Sequence, residues 1–521
     1  MSVHLRSRLP FDGGLLFVLL VGLAARLWHL DTALIDAHSW RQITNADIAR
    51  HFADGSLNLL RPRVSWGGVD GVVGMEFPLL QWLTGLLWRM TGESHVVARL
   101  VSALFSVAGV ACMYGLGQRL FGRAAGLAAA ALMAVSPSVV FFGRSFLSDT
   151  PMLTLMVAAV WAWDLYFERP SRRGALVAGV LTALGPMVKL PAILVLAPIA
   201  GVAFRHRRWH ALTDGAAWAA LVAAVAATAA WYWHADRIYL ETGLTQAVFR
   251  PSGTYPADVA PGVAFESVSH WATVARLSSI QSWSELLDRF WMLHLTAVGA
   301  AGALLGWWRM RGRREALPID LWTLGAAALF VVAMEGQYWH EFHQLPLLPP
   351  LFLYFGVAAA PLFDASWRSN GGRRWWRTPV LALVGLAVAL QGMRASGAEL
   401  HLYRPENLQV RYVRAGDAIR SATEPGALLV TVEYVDGGAN SPMLLYFARR
   451  QGWSFDVRSI TAAEVEFLRA THSARYFATA DWDDLAAGKP DVATFLTTTF
   501  KEVLLPAEAR GSRVFDLNTP R

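Results

Sequence analysis

The chain has 521 residues, 55% hydrophobic and 16% charged, with a formal net charge of +7 and a single cysteine. Soluble globular proteins carry about a quarter charged residues, so this balance excludes an ordinary soluble domain and implies a polytopic membrane protein. The lone Cys112 excludes an intrachain disulfide framework and a cysteine-based metal site. The arginine excess sits in short segments between apolar runs, so it does not require a nucleic-acid partner.

Arg6 and Arg8 precede the first apolar run, 14–30. It reads as an uncleaved signal-anchor; a cleavable signal ending near Leu23-Ala24-Ala25 is the weaker reading because so many spans follow. Further apolar runs stand at 96–117, 124–142, 150–167, 174–186, 191–204, 211–233, 291–308, 319–334, 345–363 and 378–393. Together they predict about eleven spans, a full span needing about 20 residues. Runs 174–186 and 191–204 are short. Pro186 and Pro191 break the chain between them and hold Lys189 near one membrane face. The 23 tryptophans suit interfacial belts.

If run 14–30 leaves the cytoplasm, the clusters Arg6/Arg8, Arg119/Arg123, Arg169/Arg172/Arg173, Arg205/Arg207/Arg208, Arg309/Arg311/Arg313/Arg314 and Arg368/Arg373/Arg374/Arg377 all fall inside. The same rule makes 77–90, opened by Phe77-Pro78, an amphipathic helix on the outer face rather than a span. The outer face then receives loops 31–95 and 234–290, the turn 143–149 and the break 186–191. Residues 1–393 form the membrane unit. Residues 394–521 are less apolar. Strand-like runs at 427–432, 474–480 and 514–517 and helix-like runs at 442–450 and 462–471 predict a small extracytoplasmic α/β domain. The expected fold class is an all-α polytopic membrane protein with a C-terminal α/β domain, N-terminus cytoplasmic and C-terminus outside.

The first span runs into a charged patch, Leu34-Ile35-Asp36-Ala37-His38-Ser39-Trp40-Arg41-Gln42. An acid, an imidazole and a guanidinium at the mouth of a membrane helix are costly to desolvate, and such groups mark sites. Asp149 follows Arg144 at an outer span boundary; Ser148-Asp149-Thr150-Pro151 also reads as a helix start. Lys189 reads either as a phosphate ligand or as a snorkelling interfacial lysine. Neither a Gly-rich phosphate loop nor a dinucleotide fingerprint occurs, which disfavours a nucleotide-sugar donor.

These residues form an ordered set: Asp36 in the first outer loop; Glu76-Phe77-Pro78-Leu79-Leu80-Gln81-Trp82 before an amphipathic helix; Arg144-x4-Asp149-x-Pro151 at a span end; Lys189 between half-spans; and Tyr338-Trp339-His340-Glu341-Phe342-His343-Gln344-Leu345-Pro346 opening a late span. Over residues 14–365 the chain resembles the GT-C glycosyltransferases, most of all the branch of protein O-mannosyltransferases and the bacterial lipid A aminoarabinose transferase. Two departures stand out. Ala37 replaces the family's second acid, and Phe77 with a single Pro78 replaces a basic residue and two prolines.

The resemblance implies a bacterial inner-membrane enzyme. It would move a sugar from a polyprenyl-phosphate donor to an envelope acceptor hydroxyl or amine (glycan, lipid or protein) by one inverting displacement. Asp36 would be the base and Asp149 a second catalytic group. Lys189, His343 and Arg144 would take the donor phosphate. His38, Trp40, Arg41, Glu76, Tyr338 and His340 would hold sugar or acceptor. Glu76 with His270 or His234 has the ligand types of a divalent metal; no other cofactor is implied. The rivals are a transporter or flippase of a lipid-linked sugar and a non-catalytic envelope scaffold. Charges gathered at one face, with no internal repeat, favour the enzyme.

Overall fold

The computed structural model describes residues 12–246, 271–363, 403, 407–433 and 441–521. Apolar runs become helices where caps bracket them. α1 (Gly13–Leu27) opens on Asp12, whose carboxylate accepts the Gly14 and Leu15 N–H groups. α2 (Ser39–Asp54) and α3 (Leu79–Thr91) lie in the segment between α1 and α4. α4 (His95–Phe121), α5 (Arg123–Val135), α6 (Pro137–Arg144), α7 (Asp149–Glu168) and α8 (Arg172–Val188) follow. A 3-10 turn, Leu190–Val195, leads into α9 (Leu196–Arg207) and α10 (Gly215–Thr242). Then come α11 (Val274–Ser278), α12 (Ile280–Arg289), α13 (Thr296–Met310), α14 (Leu317–Val332), α15 (Met334–Trp339) and α16 (Leu348–Phe363).

Among the described residues six helical segments are long and apolar enough to cross a membrane, or up to eight if two bent pairs each count as one. The sequence predicted about eleven over the whole chain. Run 124–142 is broken by 62° where Pro137 opens α6, and run 291–308 sits in a pair bent by 101°. α1, with 15 residues, is short for a span, as is α8, with 17. Run 378–393 lies outside the described residues. The outer loop expected over 234–290 is partly helical, since α10 continues to Thr242 and α11 and α12 occupy its far end.

Small residues set the helix crossings, as they must where lipid supplies no hydrophobic drive between helices. A Cβ on Gly126 of α5 would lie 2.5 Å from the Gln118 nitrogen of α4, and one on Gly306 of α13 would lie 1.8 Å from the Tyr354 oxygen of α16. Any side chain at these positions would separate the helices.

A second core lies outside the bundle. Its sheet runs β2-β1-β3-β5-β4, with β1 (Leu428–Glu433), β2 (Gln451–Asp456), β3 (Tyr476–Thr479), β4 (Phe500–Val503) and β5 (Arg513–Pro520). β2, β1 and β3 are parallel; β5 and β4 complete the sheet antiparallel. α17 (Asn407–Ala422), α18 (Met443–Ala448), α19 (Ala462–His472), α20 (Trp482–Gly488) and α21 (Pro490–Thr499) accompany it. β2, β4, α17, α20 and α21 add to the elements expected from sequence. Loop 31–95 joins this core: Leu34, Ile43, Phe52, Trp66 and Trp88 pack in one cluster with Leu429, Tyr446 and Phe477. The loop also covers the sheet's edge, because Gly452 N–H donates to the Ser65 carbonyl and Gly68 N–H donates to that of Gly452.

Glu93 pins the two parts together. Arg50 donates to both its oxygens at 2.9 and 2.8 Å, Tyr446 O–H at 2.6 Å and Arg449 at 2.8 Å. Burial pushes its carboxyl pKa up, but the Arg50 and Tyr446 hydrogen bonds and the Arg50 and Arg449 charges win and hold it at about 2. A depressed carboxyl adds stability above its unfolded value, and that stability drains as pH falls toward 2. Glu93→Gln should therefore lower the thermal midpoint of the purified protein at pH 7, with the gap to wild type closing as pH falls below about 4.5, the usual carboxyl value. A pH-independent gap would contradict this account.

Candidate active site

The polar helix α2 is buried with its central polar side chains hydrogen-bonded. Gln42 donates to Asp36 at 2.6 Å and accepts the Phe146 N–H at 3.0 Å, while Asn45 donates to the Phe146 carbonyl at 2.8 Å. Asp47 accepts the backbone N–H and hydroxyl of Ser65. α2 thus fixes both the loop carrying Asp36 and the turn leading to Asp149.

Asp36 itself is sealed. Its side chain is 1% exposed, and one oxygen accepts from Arg99 and Arg144, both at 3.0 Å and both fully buried. Arg144 also donates to the His29 carbonyl and the Thr32 hydroxyl. Asp36 was expected as the base and Arg144 as a phosphate ligand; here the Arg144 guanidinium is turned to Asp36, and the pair, with Arg99, braces the loop after α1 against α4 and the end of α6.

Next to it four titratable side chains, Lys189, Asp149, Glu76 and Arg41, act on one another electrostatically. Lys189 stands in extended backbone (φ −160°, ψ 122°) after Pro186 disrupts the end of α8. Its ammonium donates to both oxygens of Asp149 at 2.7 Å and lies 4.5 Å from the centre of the Phe342 ring. Asp149 therefore spends its carboxylate on Lys189, and α7 starts without a side-chain cap. Glu76 belongs to this group, held by Phe77 N–H donating to the Met187 carbonyl and Trp231 N–H donating to that of Met75. Burial pushes the Glu76 carboxyl up to about 7; Lys189 and Arg41 pull it down and Asp149 pushes it further up. Burial depresses Arg41, with Glu76 and Asp149 opposing. The Arg41 guanidinium lies 4.6 Å from the Trp40 ring centre.

His38 also packs against Phe342. Its ring centre is 4.9 Å from that of Phe342 and 5.8 Å from that of His340, and its Nε2 is 3.0 Å from the Glu341 carboxylate. His340 stacks on Phe342 at 5.0 Å, and His343 meets both rings. Residues from four distant segments thus converge around Phe342. Tyr338 does not join them; it lies beneath Arg276, 3.6 Å from its ring centre. His234 bonds the Leu60 carbonyl, and His270 lies outside the described residues. Among the described residues no three His, Cys, Asp or Glu side chains are grouped to hold a metal ion.

A cleft of about 280 Å³ opens beside the Lys189 break, between Pro186, Leu190 and Ile193 on one wall and Val225, Thr228 and Tyr232 of α10 on the other. Sequence reasoning passed over Glu341, Phe342 and Arg99. An acid between His340 and His343, and an arginine inside the apolar run 96–117, were the available signals.

Two expectations follow. Asp36→Asn leaves two buried guanidiniums without their carboxylate and should cost about 3–5 kcal/mol, seen as a large fall in thermal midpoint; an unchanged midpoint would remove the brace assignment. Glu76 works in the opposite sense. A raised carboxyl pKa means that stability is lost as pH rises from its unfolded value through about 7. Glu76→Gln should therefore be more stable than wild type at pH 8, by up to roughly 3 kcal/mol. The curves should approach one another below about pH 5, where the carboxyl is neutral in both states.

Residues 76–233 match the family model of dolichyl-phosphate-mannose-protein mannosyltransferase. No curated protein sequence matches. Among solved structures, ArnT from Cupriavidus metallidurans bound to undecaprenyl phosphate aligns with TM-score 0.64 at 14% identity, covering 96% of this chain and 98% of that one. The same protein in its apo state gives 0.62 at 15%, covering 96% and 97%. The archaeal oligosaccharyltransferase AglB from Archaeoglobus fulgidus, in complex with an inhibitory peptide and a dolichol-phosphate, gives 0.56 at 12%, covering 94% and 72%. The chain therefore shares the fold of ArnT and AglB over nearly its whole length, and residues 76–233 match the protein mannosyltransferase family model.

Proposed function

We propose that the protein is a glycosyltransferase of the cytoplasmic membrane that moves a sugar from a polyprenyl-phosphate donor to an acceptor on the outer face. The observation that carries this reading is an apolar cleft whose wall is built by residues flanking Lys189 in sequence. Lys189 lies in sequence between Pro186 and Leu190, which form part of the cleft wall. A prenyl tail fits such a slot, and its phosphate would then meet Lys189 and Arg41. ArnT, which shares the fold, has been solved with undecaprenyl phosphate bound.

The four charges suit a leaving phosphate. In the donor the phosphodiester carries one negative charge; once the C1–O bond breaks, the electron pair stays on the phosphate oxygen and a second charge develops. Preorganised cations stabilise that change more than the ground state, which is the requirement for catalysis. Burial raises the Glu76 carboxyl to about 7, and its protonated form would hydrogen-bond to the departing oxygen. Asp149 positions Lys189 through their paired contacts. The acceptor attacks C1 from the opposite side, inverting the anomeric centre. Tyr338, beneath Arg276, stands apart from this group.

Lys189→Ala should lower transfer by about 100-fold or more, the scale of one preorganised oxyanion donor. Ile193→Trp, which narrows the cleft, should raise the donor KM with a smaller effect on kcat. Both are read with a radiolabelled polyprenyl-phosphate sugar and membrane acceptors. In cells, deletion of the gene should accumulate the donor glycolipid and strip one envelope glycan. Membranes with neither change would remove the transferase reading.

A further inference from the structure

A phosphate is held by hydrogen bonds as well as by charge, so the donors left unspent in the site decide which residue can grip it. An ammonium has three N–H donors and a guanidinium five. Lys189 turns its ammonium to both oxygens of Asp149 at 2.7 Å, which leaves it little to offer. Arg99 and Arg144 are turned to Asp36. Phe77, next to Glu76, brings only an apolar ring, which meets Trp231 edge-on at 4.9 Å. Arg41 differs from all of these. Among the described residues its guanidinium has no hydrogen-bonded partner. It rests 4.6 Å from the centre of the Trp40 ring, where the charges of Glu76 and Asp149 act on it. The indole N–H of Trp40 is buried and has no partner either. Buried donors are almost always answered, so two adjacent residues with unspent donors mark a place for a ligand's acceptors.

We propose, resting on the transferase reading above, that Arg41 grips the two non-bridging oxygens of the donor phosphate with its guanidinium fork, steadied by Trp40, while Lys189 acts on the same phosphate by its charge and stays bonded to Asp149. The fork suits this ligand. A phosphodiester presents two free acceptor oxygens on one phosphorus, and a guanidinium meets both at once, which an ammonium does not.

The placement is fixed from the side of α2. Arg41 stands in the first turn of that helix, which the chain enters through His38 in the left-handed region (φ 59°, ψ 32°), a conformation that costs energy for a residue with a side chain. Gln42, beside Arg41, is held between Asp36 and the Phe146 N–H. The other side leads to the cleft. Glu76, whose charge acts on Arg41, lies between Met75, bonded to Trp231, and Phe77, bonded to Met187. Trp231 and Met187 are the sequence neighbours of Tyr232 and Pro186 in the cleft wall. A prenyl tail lying in the cleft therefore brings its phosphate toward Glu76 and Arg41.

Binding to the full-length protein in detergent tests this. The probes are the methyl phosphodiester of undecaprenol and its two phosphorothioate diastereomers, each with sulfur in place of one non-bridging oxygen. Sulfur accepts hydrogen bonds more weakly than oxygen, so the wild type should bind both thio forms less well than the oxygen form. Arg41→Ala should weaken the oxygen form by about 10–100-fold, the scale of hydrogen bonds to a charged group, and should bind all three probes alike. Arg41→Lys keeps the charge without the fork; it should recover part of the affinity and none of the thio discrimination. If the thermal midpoint shows that Arg41→Ala does not fold, Arg41→Gln takes its place and must show the same loss. A folded Arg41 variant that binds the oxygen form as the wild type does, or that keeps the thio discrimination, overturns the assignment. So does a wild type indifferent to sulfur, or a discrimination that disappears in Lys189→Ala and persists without Arg41. A wild type that binds none of the probes and consumes no donor fails the transferase reading itself.

Discussion

One buried carboxylate organises the outer half of this molecule. Asp36 draws Arg99 from α4, Arg144 from the end of α6 and Gln42 from α2 onto two oxygens. The attraction is strong because none of the partners is hydrated; in a water-excluded site charges interact far more than at a surface. The cost of burying two guanidiniums is offset only if their geometry is held, and the carbonyls of His29, Thr32 and Ala33 complete it. Loop, helix end and amphipathic helix are thereby locked in one register, and the sites on either side inherit that rigidity.

Burial then divides the labour among the charged groups. Ions with no exposure hold shape. Ions with partial exposure, Lys189 at 14% and His38 at 17%, border space that a substrate can enter. The chemistry of a displacement needs a stabilised leaving group and a proton acceptor on opposite sides of the reacting carbon.

The C-terminal sheet is tied to this site rather than appended to the bundle. Ser39, next to His38, approaches Met443 of α18, and Glu93 collects Arg50, Tyr446 and Arg449 across the same boundary. Loop residues 65–68 serve as an extra edge partner for β2. A shift of the sheet would therefore be felt at the start of α2, where His38 is held in its costly backbone conformation.

The apolar runs, the proline break around Lys189, the amphipathic helix after Glu76 and the α/β tail were all legible in the amino-acid order, because hydrophobic length, proline and side-chain alternation act locally. So were the candidate residues, and most of those described came together. Their roles were not legible. Whether a carboxylate is a base or a brace depends on what surrounds it, and those neighbours are remote: Arg99 is 63 residues from Asp36, and Glu341 is 303 from His38. The breaks within the apolar runs were hidden for a related reason. Hydropathy measures length along the chain, whereas the bends at Ser136-Pro137 and after His294 depend on packing between helices, with the Ser136 hydroxyl donating to the His294 carbonyl. Local chemistry determined which groups the protein carries; only tertiary burial decided which of them meet a substrate.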